Sequence, residues 1–150
     1  MPIIKLNAID STNSYLRLRC ARENLDDFTV VVTENQTGGR GQMGTVWASE
    51  SAKNLTFSVY KKVADVDLEY PFYISMATAL AVVKALQFFA IPKLAIKWPN
   101  DILSEDKKLC GIIIENIVTQ NKFMESVNGI GLNFNQSEFS KLQQSESLKL

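Results

Sequence analysis

The sequence predicts an α+β fold, a mixed and largely antiparallel sheet flanked by helices. Two observations carry that expectation. Helical and strand patterns are interleaved along the chain, and the last strand patterns are joined by tight turns rather than by helical crossovers. With 150 residues, 46% of them hydrophobic and 21% charged, the chain suits one domain over 1–150 with a real core.

Each element has its own signal. Asp10-Ser11-Thr12-Asn13 is a run of N-cap residues ahead of Tyr15, Leu16 and Cys20, whose spacing suits an amphipathic helix ending near Arg22. The β-branched run Phe28 to Thr33 reads as a buried strand. Beyond the glycines of 38–44, Leu55, Phe57 and Val59 alternate with Thr56, Ser58 and Tyr60, the pattern of a second strand. Tyr70 to Phe89 is the strongest helix, with Phe72, Met76, Leu80, Val83 and Phe88 along one side and alanines at 77, 79, 81 and 85 for close packing. Leu94-Ala95-Ile96 makes a short strand ending at Lys97, and Pro99-Asn100-Asp101 a turn. Cys110 to Val118 reads as a central strand, and Gln120-Asn121-Lys122 turns the chain into a last one, Phe123 to Leu132. The tail over 136–150, with four serines and three glutamines, is weakly patterned.

Composition excludes several functions. Sixteen basic residues balance sixteen acidic ones, so no global field draws the chain to nucleic acid or anionic lipid, and any anion site must be local. There is no histidine, which removes the commonest general base and zinc ligand. Cys20 and Cys110 are far apart and form no CxxC pair, as expected of small buried hydrophobes in a reduced, cytoplasmic protein. The N-terminus lacks a signal-peptide apolar region, and no apolar run is long enough to span a bilayer.

Two segments carry chemistry. Gly39-x-Gly41-x-x-Gly44 matches a dinucleotide fingerprint, but that mechanism needs a helix directly after the glycines, and Thr45-Val46-Trp47 leads to a strand. Asp65 stands near the spacing of a ribose-binding acid with the wrong element before it, and no Lys-Ser/Thr follows for a P-loop. What remains is a flexible glycine loop whose amides can approach phosphate oxygens and whose Arg40 can bind a carboxylate or phosphate. The plain alternative is a mobile surface loop with an incidental arginine. In Lys97-Trp98-Pro99-Asn100-Asp101, a strand-end lysine stands beside a fixed Asn-Asp pair that suits polyphosphate and Mg²⁺. Here the alternative is a hairpin turn with Lys97 solvated and Trp98 in the core, and Lys107-Lys108 as an edge-strand charge device.

Taken in order, Asp10-Ser-Thr-Asn13, Gly39-Arg-Gly-x-x-Gly44 with Trp47, Lys97-Trp-Pro-Asn-Asp101, Lys108-Leu-x-Gly111 and Gly129-x-Gly-Leu-Asn133 resemble the motifs of biotin protein ligases. The resemblance runs from Asp10 to Asn133 and implies a fold similar to the class II aminoacyl-tRNA synthetases. It implies an ATP- and Mg²⁺-dependent ligase that forms biotinyl-5′-AMP and transfers biotin to a lysine of a biotin carboxyl carrier domain. By position, Ser11, Thr12, Gln36, Gly39, Arg40, Lys108 and Gly111 would hold biotin. Arg40, Gly41, Gln42, Trp47, Lys97, Asn100 and Asn133 would hold ATP or the adenylate, with Trp47 on adenine once the loop closes. Arg40, Lys108 and Asp101 would be catalytic, and Asp101 is also the candidate Mg²⁺ ligand or helper of amine deprotonation. Two anions must meet, so cations rather than a nucleophile are required, and a closing lid would exclude water from the mixed anhydride.

Three departures qualify the resemblance. Gln42 stands where family members often have arginine, which implies weaker retention of the adenylate. The motifs begin almost at Met1, with no winged helix before them, so no DNA partner is expected. The chain ends soon after Asn133, as in a C-terminally shortened catalytic domain. A lipoate-type acyl ligase of the same fold and a non-catalytic biotin- or nucleotide-binding module stay open, as does a homodimer.

Overall fold

The computed structural model describes residues 1–63, 71–119 and 122–134. Asp65, the Tyr70 start of the second helix, the Gln120-Asn121 turn and the tail over 136–150 lie outside them. The described residues form seven strands and two helices in the order β1 (Ile3–Ile9), α1 (Thr12–Cys20), β2 (Val30–Gln36), β3 (Asn54–Lys62), α2 (Phe72–Gln87), β4 (Leu94–Lys97), β5 (Asp101–Ser104), β6 (Lys107–Thr119) and β7 (Lys122–Asn133). They make one sheet in the order β1-β2-β3-β7-β6-β5-β4, with β1 and β2 parallel and every other pair antiparallel. The expected mixed sheet is therefore present, and α1 is the crossover that its one parallel pair needs.

The sheet has two faces because alternate side chains point opposite ways. On one, α2 packs on β4, β5 and β6, burying Ala79 and Leu86 against Ile102, Ile112 and Ile130. On the other, α1 packs on β2, β3 and β7, burying Leu16 against Val31, Tyr60 and Val127. Ser11 begins α1 with an extended backbone, and its hydroxyl accepts from the Ser14 amide.

Two expectations need correction. The large apolar residues of α2 do not make its buried face: Phe72, Met76 and Leu80 are 44%, 40% and 50% exposed, and Phe88 beyond the helix end is 90% exposed. Ala79, Val82, Val83 and Leu86 form the row at helical spacing that meets the sheet, where the small Ala79 permits close approach. Trp98, which only the plain hairpin alternative put in the core, is 58% exposed and meets Phe72 edge-on at 5.7 Å. Asp101 belongs to β5, paired with Lys97 of β4, rather than to the turn. No described helix is long and apolar enough to cross a membrane.

Candidate active site

The start of α1 and the end of β2 meet on the α1 face of the sheet. A first-turn helical amide has no partner within its helix, and the Thr12 amide finds one in Gln36 Oε1 at 3.0 Å, with the Thr12 hydroxyl 3.3 Å from the same oxygen. Below them Ser58 donates to Asn13 Oδ1 at 2.5 Å and lies 2.7 Å from the Thr12 hydroxyl. Ser11, Thr12, Asn13 and Ser58 are all buried, so these contacts fix the helix start on the sheet.

The glycine segment folds into a small hydrogen-bonded hairpin. Trp47 donates its amide to Gly39 O at 3.0 Å and Gly41 to Thr45 O at 2.7 Å, and Arg40 bridges to Val46. A single 3-10 turn, Gln42–Gly44, closes it, with Gly44 at φ 79, where a side chain would be strained. The hairpin lays the Trp47 indole over Gly111 and Gly131, a directly opposed pair on β6 and β7. A Cβ on Gly111 would stand 2.6 Å from Trp47 Cζ3, so only glycine admits the ring there. Trp47 Nε1 is buried without a hydrogen-bond partner among the described residues.

Lys108 reaches the same face through an irregularity. Ile102 of β5 pairs with Cys110, but Leu103 pairs with Lys108, so Leu109 is an extra residue in β6. Such a bulge re-aims side chains, and it turns Lys108 toward the side that Gly111 occupies. Lys108 Nζ lies 2.9 Å from Asp101 Oδ1, an ion pair by distance without good hydrogen-bond direction, and 5.5 Å from the Trp47 ring centre. Asn100 clips the Lys97–Asp101 connection onto β6, its carbonyl accepting from the Ile112 amide at 2.8 Å.

These pieces enclose a cavity of about 380 Å³, a size suited to a small ligand. Ser11, Thr12, Gln36, Arg40, Gly41 and Gln42 line it from one side, and Trp47, Lys97, Asn100, Asp101, Lys108 and Gly111 from the other. Twelve of the sequence-predicted site residues are thus brought together, with Lys97 exposed at the rim. Two are not on the wall: Gly39 is closed off behind the Trp47 carbonyl and the Gln36 amide, and Asn133 is buried with both amide atoms unpartnered. Trp47 lies on the glycine floor in this state, the place where sequence reasoning put ligand atoms beside Gly111.

Asp101, the sequence-predicted Mg²⁺ ligand, lies on the cavity wall as a single carboxylate, the number that a nucleotide-bound Mg²⁺ commonly takes from protein. Its carboxylate faces the Lys108 ammonium, and no three His, Cys, Asp or Glu side chains come together among the described residues. Cys110 points into the α2-side core, where burial pushes its thiol well above the ordinary range, so it is no nucleophile.

Sequence reasoning missed Asn13, Gly129 and Gly131 as wall residues, although all three sit in the quoted motifs. It also missed Glu115, whose carboxylate is 3.2 Å from Arg40 Nη2. The signal was available: Glu115 is an acid inside the apolar run from Ile112 to Val118.

Comparison with known proteins places the chain in a family. Residues 6–135 match the biotin/lipoate A/B protein ligase family. The chain is 35% identical over 116 residues to the bifunctional ligase/repressor BirA of Bacillus spizizenii, covering 77% of this chain and 35% of that one. It is 36% identical over 130 residues to the biotin–[acetyl-CoA-carboxylase] ligase of Mycobacterium tuberculosis, covering 85% of this chain and 47% of that one. The structure of the biotin protein ligase of Aquifex aeolicus in complex with biotin and ATP superposes with a TM-score of 0.77 at 28% identity, covering 97% of this chain and 58% of that one. The chain therefore spans about a third to a half of the length of these two sequence relatives.

Proposed function

The chain belongs to the biotin/lipoate A/B protein ligase family, and from that premise we propose that it is an ATP-dependent biotin ligase domain, joining biotin to AMP and passing the biotinyl group to a lysine of a carrier domain. One observation carries the reading. Arg40, Lys108 and the start of α1 converge on a single glycine-floored cavity where two anions can be held together.

The neutral ureido ring of biotin needs paired donors and acceptors, which Ser11, Thr12 and Gln36 offer at the α1 end. The valerate carboxylate then points toward Arg40 and Lys108. One carboxylate oxygen attacks the α-phosphorus of ATP, the bond to the bridging oxygen breaks, and pyrophosphate leaves with the electron pair. Arg40 and Lys108 offset the repulsion between the two anions, the largest barrier in such a step. Lys108 is held on the cavity wall by its ion pair with Asp101. Gly41 brings backbone close to the ligand, and Gln42 and, once it leaves the glycine floor, Trp47 cover the adenylate. Lys97 and Asn100, both on the cavity wall, serve the nucleotide. Asp101 is the carboxylate that would hold Mg²⁺ beside the phosphates, where the ion would offset their charge.

In the second step a carrier lysine amine attacks the acyl carbon of the mixed anhydride, the bond from that carbon to phosphate oxygen breaks, and AMP leaves. The attacking nitrogen must shed a proton, and Asp101 is the carboxylate that we assign to assist. The names of the relatives support biotin and ATP as ligands, since they describe biotin ligases and a complex with both molecules.

The test is biotin-dependent ATP–pyrophosphate exchange, followed by transfer to a carrier domain. Exchange that biotin supports and lipoate does not is the expected result. Saturable biotin binding without exchange would reduce the chain to a binding module, and competition won by lipoate would move it to the lipoate branch.

A further inference from the structure

We infer that Glu115 is the positioning residue for Arg40, a fixed carboxylate on β6 that aims the loop arginine into the anion cavity; this rests on the adenylation reading above. Glu115 is held independently of Arg40. Its Oε1 accepts from Arg17 Nη1 at 3.0 Å and its Oε2 from Asn13 Nδ2 at 2.9 Å, both donors on α1. Asn13 is in turn fixed by Ser58. A carboxylate anchored by a central strand and a helix is a rigid reference point.

Arg40 has no such support of its own. It stands on the hairpin with its side chain 47% exposed, and an arginine placed by a loop must lose several rotamers to act. All its side-chain hydrogen bonds among the described residues run through Nη2, which donates to both Glu115 oxygens at 3.2 Å and to Ser14 Oγ at 3.1 Å. Nη1 and Nε make no such bond among the described residues, and Arg40 lines the cavity. The carboxylate thus uses one end of the fork and presents the other. Arg17 already supplies Glu115 with a cation, so the contact with Arg40 is not needed to neutralise the acid.

Two measurements on the full chain test the assignment. The first is phenylglyoxal modification followed by mass spectrometry, site by site. In Glu115→Gln, Arg40 should react several-fold faster than in the wild type, while Arg19, paired with Glu23 instead, keeps its rate. An unchanged Arg40 rate overturns the assignment. The second is a double-mutant cycle in biotin-dependent pyrophosphate exchange. Glu115→Gln should raise the KM for biotin roughly tenfold, within the range for coupled neighbours, and should have no further effect in an Arg40→Ala background. A loss that persists in that background would make Glu115 a structural residue of α1 only. If the wild type itself gives no biotin-dependent exchange, the adenylation reading falls, and the modification rates still decide the Glu115–Arg40 assignment.

Discussion

The indole of Trp47 lies so close to Gly131 that a Cβ built on that glycine would stand 2.5 Å from both Cε2 and Cζ2 of the ring. Gly131, near the end of β7, is therefore a seat for an aromatic side chain. Gly131→Ala should either cost about 1–3 kcal/mol of stability, the usual penalty of overpacking, or expel the ring. Tryptophan emission in a Trp98→Phe background separates the two, because the remaining indole is buried. Expulsion shifts emission to the red and weakens biotin binding. Unchanged emission with unchanged melting would show that the ring does not sit there.

Lys108 and Asp101 form the pair on which the proposed chemistry depends, 2.9 Å apart with side chains 24% and 16% exposed. Lys108→Ala should lower biotin-dependent exchange by about 10²–10³-fold, the loss seen when one preorganised charge-stabilising donor is removed. Circular dichroism should report an intact fold. Exchange at the wild-type rate would remove Lys108 from the mechanism.

Much of this was legible in the sequence, and the parts that were not share a cause. The α1 start followed from the Asp10-Ser11-Thr12-Asn13 run, and β3 from strict alternation, because both signals are local. The edge strand β1 was missed, since Lys5 and Asn7 interrupt its apolar residues on the exposed face. The four-residue β5 was absorbed into the turn before it. The buried face of α2 depended on which row met the sheet, which composition favouring Phe72, Met76 and Leu80 could not reveal. The site residues were named by resemblance, but the extra Leu109 that turns Lys108 toward Gly111 is a pairing fact between β5 and β6. Likewise, the contact of Glu115 with Arg40 joins residues 75 apart in the chain.

Gln42 opens the 3-10 turn of the hairpin and lines the cavity, half-buried. An arginine there would add a cation to the lid over the phosphate. Gln42→Arg should slow release of preformed biotinyl-5′-AMP by roughly tenfold, as expected for one added charged hydrogen bond discounted for solvent. Rapid gel filtration of the loaded protein reads the rate. Equal release from both proteins would mean that this position does not retain the intermediate.

Tyr60 contributes to the alkaline limit of stability together with the raised thiols of Cys20 and Cys110. Tyr60 is fully buried and donates to Glu125 Oε1 at 2.7 Å. Burial first, then the hydrogen bond to Glu125, pushes its phenol above the ordinary range. Burial, reinforced by the Glu125 charge, pushes the Cys20 thiol up to about 11. Both groups hold their proton more tightly folded than unfolded, where they ionise near about 8.5 and 10. Their contribution is complete below those unfolded values and is lost as pH rises toward the folded ones. Melting temperature should therefore stay level to about pH 8 and fall above about pH 9. Tyr60→Phe should cost about 1.5–3 kcal/mol at neutral pH, because Glu125 loses a donor, and should flatten the decline above about pH 10. Thermal melts of both proteins between neutral and strongly alkaline pH decide the matter. A variant whose stability falls as steeply as the wild type above about pH 10 would show that the limb belongs to another group.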